Sequence, residues 1–157
     1  MDNLTPEQRR FAMFQVKSKD TTPEKNVRSL LHRLGFRFRL HCHDLPGKPD
    51  IVLPKYKSAL FVHGCFWHRH KNCVRATTPK TNVDYWQKKF TRNVERDRRV
   101  QQELLDLGWQ VIVVWECELK DRIKLAERLT AAFKNDNIQP VYNCHRATDH
   151  HEPYGEN

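Results

Sequence analysis

The sequence predicts an α/β fold in which helices flank a mixed central sheet. Apolar residues recur with helical spacing over 27–34, and two short apolar runs follow at 51–53 and 59–62. These runs are too close together for a helix between them, so antiparallel pairing is expected. A long helical pattern over 83–107 separates them from a third apolar run at 109–115, which permits a parallel crossover there.

Composition indicates a polyanionic partner. The chain has 157 residues and a formal net charge of +9, with no amphipathic anchor helix evident among its basic residues. Nucleic acid is therefore favoured over a membrane surface, the alternative being a merely basic protein. A first helix from Thr5 to about Val16 belongs to an N-terminal arm, residues 1–20. Its basic residues either lie on DNA or form a solvated face.

The cysteines indicate a reducing compartment. They number five, an odd count without a regular disulfide framework. No apolar run approaches the length of a membrane span, and residues 1–5 do not resemble a signal peptide. We therefore expect a cytoplasmic protein.

A second helix begins with Thr22 as its N-cap and ends at Gly35. Glu24 lies in its first turn, where the helix dipole favours a carboxylate. Glu24 is thus either only a helix-start acid or part of a metal site. Residues 36–40 alternate with period two and predict a half-buried strand.

The second half of the chain closes the fold. The long helical region is expected to be broken or bent near Phe90 and to end at Gly108. A closing amphipathic helix is predicted over 119–134, with Ile123 on or near its apolar face. Residues 1–134 are then one domain and 135–157 a polar tail. Cys144 and three histidines in the tail permit a second metal site, or the tail is simply frayed.

The stretch 63–73 concentrates thiols and imidazoles, the ligands that zinc prefers. Cys65, His70 and Cys73 are spaced closely enough to share one ion. Cys117, directly after the third apolar run, is the best candidate for the fourth ligand. The alternative is a set of ordinary reduced cysteines beside surface histidines.

Asp50 opens the first apolar strand of a predicted hairpin, the arrangement of the PD-(D/E)xK nuclease fold. A carboxylate at a strand edge can hold Mg²⁺ against a phosphate, although a turn residue would look the same. The second strand should supply an acid and a lysine, but it has His63 where they are expected. Asp97, in an arginine-rich helix, is either functional or an ordinary ion-pair partner.

The residues of the metal loop also suggest roles in DNA contact and catalysis. Phe66 and Trp67 adjoin a polar loop, where a stacking or wedge role is favoured over core burial. Trp86 fits either that role or the apolar stripe of its helix. A histidine with an ordinary pKa of about 6.5 can accept a proton at neutral pH. His68 lies between two candidate zinc ligands and would be held rigidly.

These features together resemble one family, the very short patch repair (Vsr) DNA mismatch endonucleases. The matching segments are LPGKPD (45–50), VHGCFWH (62–68), NVERDRR (93–99), GWQV (108–111) and WEC (115–117). The resemblance extends from Thr22 to Cys117. It implies a restriction-endonuclease-like fold with a structural Zn²⁺ site. It also implies a Mg²⁺-dependent nick 5′ to the thymine of a T:G mismatch, in repair of deaminated 5-methylcytosine.

The resemblance also assigns roles to residues. Asp50 and the carbonyl of Val62 would bind Mg²⁺, and His68 would activate water. His63 and Glu24 would organise the water around the metal, and Asp97 would orient His68. The zinc ligands would be Cys65, His70, Cys73 and Cys117. The aromatic residues that enter the base stack would be Phe66, Trp67 and Trp86.

The implied partner is double-stranded DNA with a T:G mismatch, bound by a monomer, with other repair proteins as candidate partners. The resemblance also implies a bacterial cytoplasmic protein associated with the nucleoid. Two alternatives remain open from the residues. One is a non-catalytic zinc-stabilised DNA-binding module. The other is a nuclease of broader specificity on the same scaffold.

Overall fold

The computed structural model describes residues 5–14 and 19–134, and these residues form a mixed α/β structure. The helices and strands are α1 (Pro6–Phe14), α2 (Thr22–Arg33), β1 (Arg39–Leu40), β2 (Ile51–Leu53), β3 (Ser58–His63), α3 (Val83–Asp106), β4 (Gln110–Trp115) and α4 (Arg122–Ala132). Short 3₁₀ helices at Pro54–Tyr56 and Glu116–Lys120 follow β2 and β4.

The described strands form one mixed sheet in the order β1-β2-β3-β4. The first three pair antiparallel, as the short connections require, whereas β4 runs parallel to β3. The parallel register places Trp115 beside His63, so β3 and β4 end at the same edge of the sheet. The predicted hairpin and crossover are both confirmed.

Strand alternation divides the core between the two faces of the sheet. Leu60 and Val114 face a cluster that includes α2 and α4, whereas Ala59 and Phe61 face a cluster that includes α3. Helices therefore flank both faces, as predicted. Gly47 has a φ of +72°, and a Cβ there would collide with the side chain of Val100 on α3. The loop before β2 can approach α3 this closely only with glycine at that position.

The strand predicted over 36–40 is reduced to β1. After α2, the N–H of Phe36 donates to the carbonyl of Leu31 at 3.0 Å, which closes the helix end around Gly35. Phe36 then packs against Tyr56 and Phe133. Because β2 has only three residues, only Arg39 and Leu40 of the segment 36–40 pair with it. The start of α2 also shifts by one residue: its N-cap is Thr21, not Thr22.

The predicted break near Phe90 in the long helix is wrong. The helix α3 continues for 24 residues, and no proline or glycine occurs within it. Trp86 and Phe90, one turn apart, stack with ring centroids 5.7 Å apart and thereby support that region. No helix among the described residues has the length and apolar composition needed to cross a membrane.

The closing helix begins later than predicted. Asp121 caps α4 by accepting the N–H of Lys124 at 3.1 Å, and a 3₁₀ helix takes the residues before it. Leu125 and Leu129 lie one turn apart and are buried, which fixes the inner face of the helix. Ile123 is two residues from Leu125, on the outer face, and is 75% exposed. Its predicted place on the apolar face is therefore wrong.

Candidate active site

The β2–β3 hairpin places Asp50 beside the end of β3. Asp50 directly precedes β2, and the pairing of Ile51 with Leu60 sets its register against β3. The N–H of Val62 donates to Asp50 Oδ2 at 2.7 Å. The carboxylate of Asp50 and the backbone of Val62 are therefore in direct contact.

Burial determines the charge state of Asp50. It raises the pKa of the carboxyl group to about 7; the hydrogen bond from Val62 opposes this shift and the negative charge of Glu24 adds to it. Glu24 is 4% exposed and accepts hydrogen bonds from the N–H of Asp20 at 2.8 Å and from Arg28 at 3.3 Å. Two carboxylates that are buried and repel each other favour the binding of a cation between or beside them.

Next to Asp50, two histidines and a second aspartate converge from three parts of the chain. The rings of His63, at the end of β3, and His68, in the following loop, stack at 3.8 Å with an interplanar angle of 5°. His68 Nδ1 lies 2.6 Å from Asp97 Oδ2 on α3. Candidate ligand atoms of the three residues lie within 4.8 Å of one another. Burial and the neighbouring His68 lower the pKa of His63 to about 4.

The loop after β3 turns back on itself to bring His68 to this cluster. The N–H of His68 donates to the carbonyl of Gly64 at 3.1 Å, and the N–H of His70 donates to that of Cys65 at 3.0 Å. Arg69, between the two histidines, has a left-handed backbone with φ +56°. His68 and His70 therefore join different side-chain clusters although one residue separates them.

The second cluster consists of Cys65, His70, Cys73 and Cys117, whose ligand atoms also lie within 4.8 Å of one another. His70 Nδ1 is 3.6 Å from Cys65 Sγ and 3.4 Å from Cys117 Sγ. The ring of His70 stacks on Trp115 at 4.2 Å, with an interplanar angle of 8°. Cys117 reaches this position because β4 ends beside β3.

These four side chains fit a zinc ion. A tetrahedral zinc site with Cys and His ligands separates its ligand atoms by about 3.5–3.8 Å, close to the distances at His70. Burial raises the pKa of Cys65 to about 12, whereas a hydrogen bond from the backbone of Arg75 lowers the pKa of Cys73. Three neighbouring thiols need a cation before they can all ionise. The chemistry of the donors therefore supports a metal at this position.

Beside the Cys–His cluster lies an aromatic cluster of Phe66, Trp67, Trp86 and Phe90. Phe66 and Trp67 are half-buried and meet edge to face at 5.1 Å. Trp86 is only 7% exposed, and its buried Nε1 has no hydrogen-bond partner among the described residues. Insertion of Trp86 between bases would therefore require the cluster to open.

Comparison with known proteins identifies the family. The sequence pattern described as DNA mismatch endonuclease Vsr matches residues 1–75. The Type II nicking enzyme V.XorIIP of Xanthomonas oryzae pv. oryzae is 56% identical over 128 residues, 82% of this chain and 93% of that enzyme. The DNA mismatch endonuclease Vsr of Escherichia coli (strain K12) is 44% identical over 115 residues, 73% of each chain. The chain belongs to the Vsr family. The family predicted from the motifs is thus confirmed, and the protein is a DNA endonuclease.

Among solved structures, the catalytic domain of the homing endonuclease I-Bth0305I aligns with 72% of this chain and 94% of that domain, with a TM-score of 0.48 and 24% identity.

In this Vsr-family protein, the residues predicted as catalytic and as zinc ligands lie at one edge of the sheet, around the ends of β3 and β4. Sequence reasoning missed three supporting contacts. Arg28 pairs with Glu24, a spacing of four residues that could have predicted the contact. Asn93 donates to the carbonyl of Trp67 at 3.0 Å, and Arg69 donates to the carbonyls of three loop residues. Neither of the latter two has a local sequence signal. Cys144 and the tail histidines lie outside the described residues.

Proposed function

We propose that the protein is a Mg²⁺-dependent mismatch endonuclease that nicks one DNA strand 5′ to the thymine of a T:G pair, in repair of deaminated 5-methylcytosine. One observation supports this most: the buried carboxylate of Asp50 lies beside a His63–His68–Asp97 cluster in a member of a DNA mismatch endonuclease family. The antiparallel hairpin and parallel crossover support a PD-(D/E)xK-type fold, proposed as one domain over 1–134.

Asp50 and the carbonyl of Val62 are the proposed Mg²⁺ ligands, with His63 and Glu24 ordering the surrounding water. The donor chemistry fits, because Mg²⁺ binds oxygen ligands and a bound cation would offset the burial that raises the pKa of Asp50 to about 7. When bound, Mg²⁺ would supply positive charge against the phosphate oxygens. His63 is neutral at pH 7, since its pKa is about 4, and can accept a hydrogen bond from water.

His68 is the proposed general base, oriented by Asp97. An ionised carboxylate only accepts hydrogen bonds, so His68 Nδ1 carries the proton that faces Asp97. In the neutral imidazole, Nε2 is then the unprotonated nitrogen, which can take a proton from water. The stacked ring of His63 and the short bond to Asp97 hold the His68 imidazole in one orientation.

Zn²⁺ is the proposed occupant of the Cys65–His70–Cys73–Cys117 cluster, with a structural role. It would join the loop after β3 to the end of β4 and so fix the position of His68. Phe66 and Trp67 are the proposed wedge beside the mismatch, with Trp86 joining them if the aromatic cluster opens. The basic residues of α3 would contact phosphates, which makes binding salt-dependent.

A panel of strand-labelled duplexes containing T:G, other mismatches or fully paired DNA, incubated with Mg²⁺, tests this function. A nick only in the thymine strand of the T:G duplex is expected. The names of relatives such as V.XorIIP favour a second candidate, site-specific nicking of paired DNA. A nick in the paired duplex would support that second function. Binding without a nick in any of these duplexes would reject the proposed T:G function.

A further inference from the structure

The side chain of Arg69 is turned toward the protein rather than toward solvent. Its Nη1 donates to the carbonyls of Phe66 at 3.2 Å and Thr77 at 3.0 Å. Its Nη2 donates to the carbonyl of Ala76 at 3.2 Å and to Thr78 Oγ1 at 3.0 Å. Each of these nitrogens carries two N–H groups, so the four contacts occupy all of them.

An arginine in a basic DNA-binding protein is usually expected to meet a phosphate. Arg69 has only its Nε–H left for that purpose, because its terminal nitrogens are already bonded. Its guanidinium also lies over Phe90 on α3, 4.0 Å from the ring centroid. The residue therefore joins three parts of the molecule: the metal loop, the segment 76–78 and α3.

The two proposed wedge residues are anchored in the same way. Arg69 binds the backbone carbonyl of Phe66, and Asn93 on α3 binds the backbone carbonyl of Trp67 at 3.0 Å. Phe66 also meets Phe90, the ring that Arg69 covers, edge to face at 5.2 Å. Loss of the Arg69 guanidinium would remove the hydrogen bond to the Phe66 carbonyl and the contact over Phe90, so that only ring contacts would hold Phe66 against α3.

We propose that Arg69 is a positioning residue for mismatch discrimination, which fixes Phe66 and Trp67 in the arrangement that enters the base stack. This inference rests on the proposed function, in that the aromatic pair recognises the mismatch. Arg69 acts through Phe66 and the segment 76–78 and does not touch the DNA bases.

The test compares Arg69→Ala and Arg69→Lys with Arg92→Ala, which removes an exposed arginine of α3. Dissociation constants for T:G and T:A duplexes, single-turnover nicking rates and zinc content are measured for each. In Arg69→Ala, the T:G preference in binding should fall at least about tenfold, because several hydrogen bonds from a charged donor are lost. The nicking rate at saturating T:G duplex should change much less. Arg92→Ala should weaken binding of the T:G and T:A duplexes equally.

Chemical rescue separates positioning from simple loss of charge. Methylguanidinium at a non-denaturing concentration should restore the T:G preference of Arg69→Ala, whereas ammonium at the same concentration should not. Arg69→Lys keeps the charge but not the planar set of donors, so it should also lose preference. A zinc-loaded Arg69→Lys variant with the T:G preference of the parent would overturn the inference. If Arg69→Ala weakened binding of the T:G and T:A duplexes equally, the inference would also be overturned.

The near-ultraviolet circular dichroism of the DNA-free protein is a second test, which does not depend on mismatch preference. Arg69→Ala should alter the aromatic signal, and methylguanidinium should restore it. An unaltered spectrum would overturn the positioning role whichever duplex the parent prefers. If the parent shows no T:G preference, the proposed function fails. The circular dichroism measurement still decides whether Arg69 positions the aromatic pair.

Discussion

His68 and His70 are separated by one residue and lie in opposite chemical surroundings. His70 belongs to a cluster of three thiols, where the donor atoms are soft and close together. His68 belongs to a cluster with His63 and Asp97, beside the buried carboxylate of Asp50. The left-handed backbone of Arg69 between them allows the chain to serve both clusters.

The two clusters differ in how they affect stability. In the Cys–His cluster, a metal would join distant parts of the chain and stabilise the fold. In the Asp–His cluster, burial raises the pKa of Asp50 to about 7 and lowers the pKa of His63 to about 4, so it disfavours the charged form of each side chain. Such perturbed groups are typical of catalytic sites. We therefore propose that the Cys–His cluster stabilises the structure once it holds a metal, whereas the Asp–His cluster lowers stability and carries out the chemistry.

The largest expected effect concerns the Cys–His cluster. Cys117→Ser removes one of the four donors, so zinc content should fall well below one per chain. The free energy of unfolding should drop by several kcal/mol and by on the order of 10 kcal/mol at most. Metal analysis and thermal melting measure both. Cys117→His, which keeps a zinc donor, is the matched control and should retain more zinc. Full zinc content with an unchanged melting temperature in Cys117→Ser would reject the metal site.

The next effect concerns the chemistry of the Asp–His cluster. His68→Ala should slow single-turnover nicking of the T:G duplex about 10²–10⁴-fold, since a general base is lost. The acid limb of its pH–rate profile should flatten, and zinc content and melting temperature should stay near those of the parent. His43→Ala removes an exposed histidine of the loop before β2 and should leave the rate unchanged. An active His68→Ala with the parental pH profile would remove His68 as the base.

A smaller effect, of opposite sign, is expected for stability at Asp50. Its folded pKa of about 7 lies above the ordinary value of 3.8, so the folded state binds more protons between these values and loses stability as pH rises through them. Asp50→Asn imitates the neutral acid. Without added Mg²⁺ and above pH 7, its free energy of unfolding should therefore exceed that of the parent by on the order of 2–4 kcal/mol, and it should melt at a higher temperature.

The same two proteins should melt alike near pH 4, where Asp50 is protonated in the folded state. His63 contributes the opposite dependence, with stability rising from pH 4 to 6.5, but it is present in both proteins and cancels in their difference. Equal melting temperatures of parent and Asp50→Asn above pH 7 would show that the buried carboxylate carries no stability cost.

The smallest effect concerns recognition beside the Cys–His cluster. Phe66→Ala and Trp67→Ala should each reduce the preference for T:G over T:A duplex by about 1–3 kcal/mol, the usual contribution of stacking on one base. Tyr85→Ala removes an exposed aromatic of α3 and is the control. If both wedge variants discriminate as well as the parent, the aromatic pair has another role.

The sequence predicted elements whose signals are local. The spacing of Cys65, His70 and Cys73 indicated a shared ion, and the short links around 51–62 required an antiparallel hairpin. The continuity of α3 and the exposure of Ile123 were missed because neighbouring side chains and a later cap decide them. Arg69, in the loop after β3, contacts Phe90 on α3, which is 21 residues away in the sequence. No periodicity in the chain predicts this contact.

The most direct test of the division between the two clusters is nicking by Asp50→Asn. The measurement is single-turnover cleavage of a strand-labelled T:G duplex at saturating Mg²⁺, with DNA affinity and zinc content determined on the same preparation. We predict no detectable nick, with affinity and zinc close to those of the parent, because an amide of the same size at this position leaves the fold and the Cys–His cluster intact. A nick at the parental rate by zinc-loaded Asp50→Asn would contradict the assignment of the chemistry to the Asp–His cluster.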